Sequence, residues 1–207
     1  MEDRKRQEDA SEAGEEPSAE PSRDDSSWAP EIERVLLTEA QIKARVAELA
    51  EQLHQDYQGQ DVLLIGVLTG AVVFLADLIR HMQMPVCVDF VQLRSYGDST
   101  VSSGKVEVVK DLTQPVEGRP VVVIEDIVDT GRTLAYLVDT LHSRGAESVR
   151  VCALLSKPSR REVEVPLDYV GFEVPDAFVV GYGLDFAQRF RNLPYVAVLR
   201  PEAYQKE

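Results

Sequence analysis

The chain is short of cysteine, short of positive charge and without any long apolar run. Cys87 and Cys152 are its only cysteines in 207 residues, and they stand far apart in apolar stretches. That spacing excludes a disulfide-stapled scaffold and reads as small buried hydrophobes in a reducing compartment. Lys and Arg number 22 against 36 Asp and Glu, a net charge of −14. Affinity driven by neutralising a nucleic-acid backbone needs clustered Lys and Arg, so no nucleic-acid partner is expected. Small phosphorylated ligands stay open, because backbone amides and metals can hold them. No segment approaches ~18 consecutive apolar residues, so no membrane span is expected. The N-terminus is charged from Glu2 onward and lacks the apolar stretch of a secretory signal. The expected address is cytoplasmic. His54, His81 and His142 are scattered and suggest no metal site.

Hydrophobic residues at 44% and charged residues at 28% make an ordinary globular mixture, enough for one domain with a tail. The tail is residues 1–30, where ten acids face four bases and large apolar side chains are nearly absent. Such a segment cannot bury enough to offset the entropy of ordering, and it reads as a disordered, dispensable extension. Residues 31–207 read as the folded domain.

Order begins near Ile32. Thr38 and Gln41 form a capping-box pattern, followed by Ile42, Val46, Leu49 and Leu53 on one helical face. Val62 to Leu68 is a continuous apolar run, the mark of a strand covered on both faces. The pattern predicts a helix over Gly70–Met82, a strand over Val86–Gln92 and a polar loop over Arg94–Lys105. Further strands are predicted at Val106–Val109, Pro120–Ile124, Val149–Leu155, Phe178–Gly181 and Tyr195–Leu199, with a helix at Arg132–Ser143 stopped by Gly145. Strands alternating with helices predict an α/β fold with an open parallel sheet flanked by helices. Ligands bind such sheets beyond the carboxyl ends of the strands.

The sharpest segment lies at such an end. The strand Val121–Ile124 runs into Glu125 and Asp126, then Asp129-Thr130-Gly131-Arg132-Thr133 opens a helix. Gly131 lets the chain bend and its amides converge. The helix N-terminus adds unpaired N–H groups and partial positive charge, which together cradle a phosphate monoester. Carboxylates repel phosphate, so they must face another part of the ligand. Two adjacent acids accept hydrogen bonds from a vicinal diol and can share a divalent metal with it. A phosphate beside a diol is a ribose 5-phosphate. A capped helix after a plain βα turn, with Asp129 or Thr130 as cap, is the alternative. No Gly-x4-Gly-Lys-Ser/Thr occurs, and Gly181-Tyr-Gly183 lacks the third glycine of a dinucleotide fingerprint.

Glu125-Asp126-Ile-Val-Asp129-Thr130-Gly131 resembles the phosphoribosyl-pyrophosphate loop of the type I phosphoribosyltransferases, in the form found in the hypoxanthine-guanine phosphoribosyltransferases. The likeness runs from about Ile32 to Tyr204. It takes in Leu68-Thr69-Gly70, Arg94-Ser95-Tyr96-Gly97, Leu155-Ser156-Lys157, Phe178–Asp185 and Arg191–Tyr195, in the family's order.

The resemblance implies a type I phosphoribosyltransferase fold, with a core at about 55–157 and a small hood subdomain from about 31–54 and 158–207. It implies purine salvage, with phosphoribosyl pyrophosphate and a 6-oxopurine as partners, IMP or GMP as product, and a homo-oligomer, dimer or tetramer. Glu125 and Asp126 would hold the ribose hydroxyls and a Mg²⁺. The backbone of Asp129, Thr130, Gly131, Arg132 and Thr133 would bind the 5-phosphate. Asp129 would exchange the proton at N7 of the purine. Lys157 would donate to the exocyclic oxygen, Phe178 would stack on the base, and the Val179 backbone would read its edge. Asp185 would hold a second Mg²⁺, and Arg191 would contact pyrophosphate. Leu68, Thr69 and Gly70 would supply pyrophosphate-binding amides, in the family through a cis peptide. Ser95 and Tyr96 would sit on a loop that closes over the reacting centre. The chain departs from the family at Thr69 and Arg132, where Lys is common, and at Phe186, where Tyr is common. A xanthine-preferring enzyme and a non-catalytic RNA-binding regulator are the rival readings. The acidic balance speaks against the second.

Overall fold

The computed structural model describes residues 29–95 and 106–205. The segment read as a disordered tail therefore lies outside the described residues apart from Ala29 and Pro30, and so does the polar loop beyond Ser95.

In chain order the elements are β1 (Ile32–Leu37), α1 (Glu39–Tyr57), β2 (Leu63–Leu68), α2 (Ala71–His81), β3 (Cys87–Ser95), β4 (Val106–Lys110), β5 (Pro120–Val128), α3 (Arg132–Ser143), β6 (Ser148–Ser156), β7 (Tyr169–Glu173), β8 (Val179–Val180), β9 (Val196–Leu199) and α4 (Pro201–Tyr204). Six strands form the main sheet in the order β4-β3-β2-β5-β6-β7. All its pairings are parallel except β3 with β4, so the sheet expected to be parallel carries one antiparallel edge.

The two-sided burial of the central strands follows from their alternation. Leu64, Val122 and Ile124 point to one face, against Leu49 and Leu53 of α1 and Phe74 and Leu78 of α2. Leu63, Ile65, Val121 and Val123 point to the other, against Leu134, Leu137 and Leu141 of α3. Truncating one such leucine to alanine costs about 2–5 kcal/mol, because the cavity left behind adds to the lost transfer free energy. The capping box holds: Thr38 Oγ1 accepts from the Gln41 amide, and Gln41 Oε1 accepts from the Thr38 amide at 2.9 Å.

A second, three-stranded antiparallel sheet, β1-β9-β8, packs Ile32, Val180, Tyr195 and Leu199 into a separate cluster. Two elements that the sequence assigned wholly or largely to the hood lie elsewhere. Helix α1 packs with α2 on the main sheet, and β7 extends that sheet's edge. Arg45 of α1 ties the two together, donating to the carbonyls of Val170 and Gly171 at 2.7 and 3.1 Å. The strand predicted over Phe178–Gly181 shortens to Val179–Val180, because the chain turns at Gly181 (φ 98°). Strand β5 instead runs four residues past its apolar run, through Glu125 and Asp126 to Val128.

Candidate active site

The carboxyl ends of β5 and β6 and the segments that follow them enclose two adjoining cavities. The larger, about 610 Å³, is lined among others by Asp126, Lys157, Phe178, Val179 and Asp185. The smaller, about 260 Å³, is lined among others by Leu68, Glu125, Thr130, Gly131 and Thr133. Ile127 and Asp129 line both. A ligand spanning the two cavities therefore passes Ile127 and Asp129.

The turn from β5 into α3 is built as an anion cradle. Gly131 has φ 83°, and a Cβ there would stand 2.5 Å from the Val163 carbonyl oxygen, so only glycine fits. The loop is held from behind. The Thr130 carbonyl accepts from the amides of Glu162 and Val163, both at 3.0 Å. Arg161 donates to the carbonyls of Asp129 and Val128 and to Ser156 Oγ. Among the described residues, the amides of Asp129, Thr130, Gly131 and Thr133 donate to no other protein group. Four free amides at the N-terminus of a twelve-residue helix form a receptor for a doubly charged phosphoryl group.

Glu125 and Asp126 are half-buried side by side. Burial, and next the charge of Asp126, push the Glu125 carboxyl well above its usual range; burial also raises Asp126. Asp126 Oδ1 accepts from the Ile127 amide at 2.9 Å. The two carboxyl groups share a hydrogen bond and, once ionised, present adjacent hard oxygen donors, so this pair fits Mg²⁺. Among the described residues no three acidic, His or Cys side chains gather around one ion. Asp185 lines the same cavity as Asp126. Its Oδ1 lies 2.7 Å from Arg191, and its Oδ2 accepts from the Gln188 amide at 2.8 Å.

The base end takes its geometry from β6 and β8. Lys157 is 8% exposed at the end of β6, and its Nζ donates to the Ala177 carbonyl at 2.8 Å. That bond fixes the ammonium on the cavity wall beside Phe178. The Phe178 ring stacks on Tyr204, centroids 4.8 Å apart and planes 22° apart, with Phe186 edge-on at 5.5 Å. Asp129 Oδ1 accepts from Arg160 Nε at 3.2 Å, and the same guanidinium lies 3.7 Å from Asp176.

Beneath the pair of acids, the Leu68–Thr69 peptide is cis and leads through Gly70 into α2. Of the residues singled out in the sequence, Thr69, Gly70, Arg132 and Arg191 line neither cavity. The Arg132 side chain turns outward to Glu162 at 2.6 Å, and its amide points at Thr130 Oγ1. Ser95 ends β3, and Tyr96 lies outside the described residues. Sequence reasoning passed over Ile127, Arg160, Arg161, Asp176 and Tyr204. Only Ile127, an apolar residue set between acids two positions from each of Glu125 and Asp129, carried a local signal.

Parallel-sheet architecture, a phosphate cradle after β5 and a carboxylate pair before it define a phosphoribosyl-transferring class of protein. The chain belongs to the phosphoribosyltransferase family: the model of the phosphoribosyl transferase domain matches residues 35–187. It is similar to the hypoxanthine-guanine phosphoribosyltransferase of Bacillus subtilis (strain 168), 53% identical over 175 residues, 84% of this chain and 97% of that one. It is 49% identical over 181 residues to the enzyme of the same name from Mycobacterium tuberculosis (strain ATCC 25618 / H37Rv), 84% of this chain and 90% of that one. A solved hypoxanthine phosphoribosyltransferase from Staphylococcus aureus superposes with a TM-score of 0.84 at 41% identity, over 88% of this chain and 99% of that one.

Proposed function

We propose that the chain transfers the 5-phosphoribosyl group of phosphoribosyl pyrophosphate to N9 of hypoxanthine or guanine, releasing pyrophosphate and forming IMP or GMP. The reaction is a purine salvage step, carried out in the cytoplasm. The observation that carries this reading is the set of free amides at Asp129, Thr130, Gly131 and Thr133, beside a carboxylate pair and next to a base-sized cavity. The names of the relatives above agree with it, and the unpaired thiols of Cys87 and Cys152 suit a reducing compartment.

Each residue then has a task. The free amides and the hydroxyls of Thr130 and Thr133 take the 5-phosphate. Glu125 and Asp126 accept from the ribose hydroxyls and would hold a Mg²⁺. The ion would offset charge on the departing pyrophosphate. The amides of the Leu68-Thr69-Gly70 turn and the Arg191 guanidinium bind that pyrophosphate, and Asp185 would hold a second Mg²⁺ on giving up its bonds to Arg191 and the Gln188 amide. Arg191 would release its bonds to the Gly183 carbonyl and to Asp185 to turn its planar fork on two phosphoryl oxygens at once.

At the base end the purine lies between Ile127 and Phe178, with its edge at the Val179 backbone. Lys157 donates to the 6-oxo group; an ammonium has no acceptor for a 6-amino group, so adenine is refused. Asp129, at the junction of the two cavities, accepts the N7 proton as N9 attacks the anomeric carbon. Hydrogen-bond reach is the first requirement for that role. To meet the base, Asp129 must exchange its bond with Arg160, which keeps Asp176 as a partner.

Product formation with hypoxanthine, guanine, xanthine and adenine, in the presence of phosphoribosyl pyrophosphate and Mg²⁺, tests this reading. IMP and GMP are expected and AMP is not. AMP as the sole product, or no nucleotide from any base, overturns it.

A further inference from the structure

Two segments on the pyrophosphate side are distant in sequence and locked together in space. One is the Leu68–Gly70 turn with α2 behind it. The other is Gly181–Arg191, which carries Asp185. Gly183 (φ 99°) packs so closely on the first that a Cβ there would stand 2.1 Å from the Gly70 carbonyl oxygen. The Gly183 carbonyl accepts from Arg191 at 2.7 Å, and its amide donates to the Arg191 carbonyl at 3.0 Å. Asp126 abuts Gly70 from the other side. Asp126, Gly70, Gly183, Arg191 and Asp185 therefore form one continuous file of contacts from the diol end to the pyrophosphate end.

Tyr182 sits inside this file and lines neither cavity. It is 5% exposed with φ 49°, a left-handed backbone that a tyrosine adopts only when its surroundings over-determine it. Its hydroxyl crosses to α2 and donates to Asp77 Oδ2 at 2.8 Å, a bond between residues 105 positions apart. Burial, then the Asp77 carboxylate, push the phenol far above its usual value, so it remains a donor at any working pH.

We propose that Tyr182 and Asp77 are positioning residues: their bond sets the Asp185–Arg191 segment in register with the Leu68–Gly70 turn and so prepares the site for pyrophosphate. The inference rests on the transferase reading above and concerns residues that touch no substrate.

Steady-state kinetics of Tyr182→Phe, Asp77→Ala and Asp77→Asn test it, with Tm measured alongside. Tyr182→Phe and Asp77→Ala are expected to raise KM for phosphoribosyl pyrophosphate about tenfold, the scale of one hydrogen bond to a charged group. The KM for hypoxanthine stays at the wild-type value. Asp77→Asn, which keeps an acceptor oxygen, restores most of the loss, and the double variant is no worse than either single one. Equal losses for both substrates, an unchanged KM for phosphoribosyl pyrophosphate, or additive effects in the double variant overturn the proposal. A wild-type protein that makes no IMP or GMP overturns the transferase reading instead.

Discussion

The carboxylate of Asp126 rests on the α-carbon of Gly70: a methyl group added there would stand 1.6 Å from Oδ2. The residue that follows the cis peptide is thus the floor on which a diol-binding acid is set. Gly70→Ala must displace either Asp126 or the start of α2. Displacements of about 1 Å at a reacting centre can cost a factor of 10². The expected outcome is a drop in kcat/KM for phosphoribosyl pyrophosphate of at least about 100-fold, with far-ultraviolet circular dichroism unchanged. Near wild-type kinetics would mean that Asp126 has room to spare.

Asp129 is the only carboxylate lining both cavities among the described residues. A positioned general base contributes about 10²–10⁴ in rate. Asp129→Asn keeps the shape and removes the base, so turnover at saturating substrates should fall within that range while both KM values change little. Retention of wild-type turnover would take Asp129 out of the proton transfer.

Among the described residues the Lys157 ammonium makes one hydrogen bond, to the Ala177 carbonyl, and the side chain lines the base cavity. Lys157→Ala should raise KM for hypoxanthine by about 10–100-fold, the worth of a hydrogen bond to a charged group, and leave KM for phosphoribosyl pyrophosphate as it was. A parallel rise in both would show that the lysine supports the fold of the site rather than the base.

The parts of the site that were legible in the sequence are those whose physics is local. Gly131, the two acids before it and the helix after it lie within ten residues, and the Thr38–Gln41 cap within four. The parts that were not legible depend on pairings made across the fold. Strand β7 is five residues long with Gly171 at its centre, where a Cβ would meet the Leu154 carbonyl oxygen at 2.4 Å. Its place in the main sheet comes from packing on β6 rather than from its own pattern. Arg160 and Arg161 carry no local signal, yet they hold Asp129 and the carbonyls of the phosphate loop some thirty positions upstream. Tyr204 reaches Phe178 because the antiparallel pairing of β8 and β9 brings the chain end over the base cavity.

That last contact carries a prediction of its own. A stacked aromatic pair is worth about 0.5–1.5 kcal/mol beyond its buried area. Tyr204→Ala should leave the Phe178 ring free to turn and weaken hypoxanthine binding by about two- to tenfold, with Tyr204→Phe restoring it. Isothermal titration with the base, in the presence of pyrophosphate, would measure the change. Tighter binding in Tyr204→Ala would mean that the tyrosine competes with the purine for the ring.

The raised carboxyls of Glu125 and Asp126 fix the sign of a pH effect. Burial and the neighbouring Asp126 lift Glu125 well above its usual 4.5, so the folded protein binds this proton more tightly than the unfolded chain. Its contribution to stability is whole below about 4.5 and is lost as pH climbs through the raised native value. In EDTA, Tm should therefore decline as pH rises above the ordinary carboxylate range. Glu125→Gln removes the titration, and its Tm should decline less. Mg²⁺ with phosphoribosyl pyrophosphate binds the ionised pair, so the stabilisation these ligands give should grow over the same interval. A Tm profile in EDTA with the same slope in wild type and Glu125→Gln would place the source of the pH dependence elsewhere and leave the two acids as ordinary solvated carboxylates.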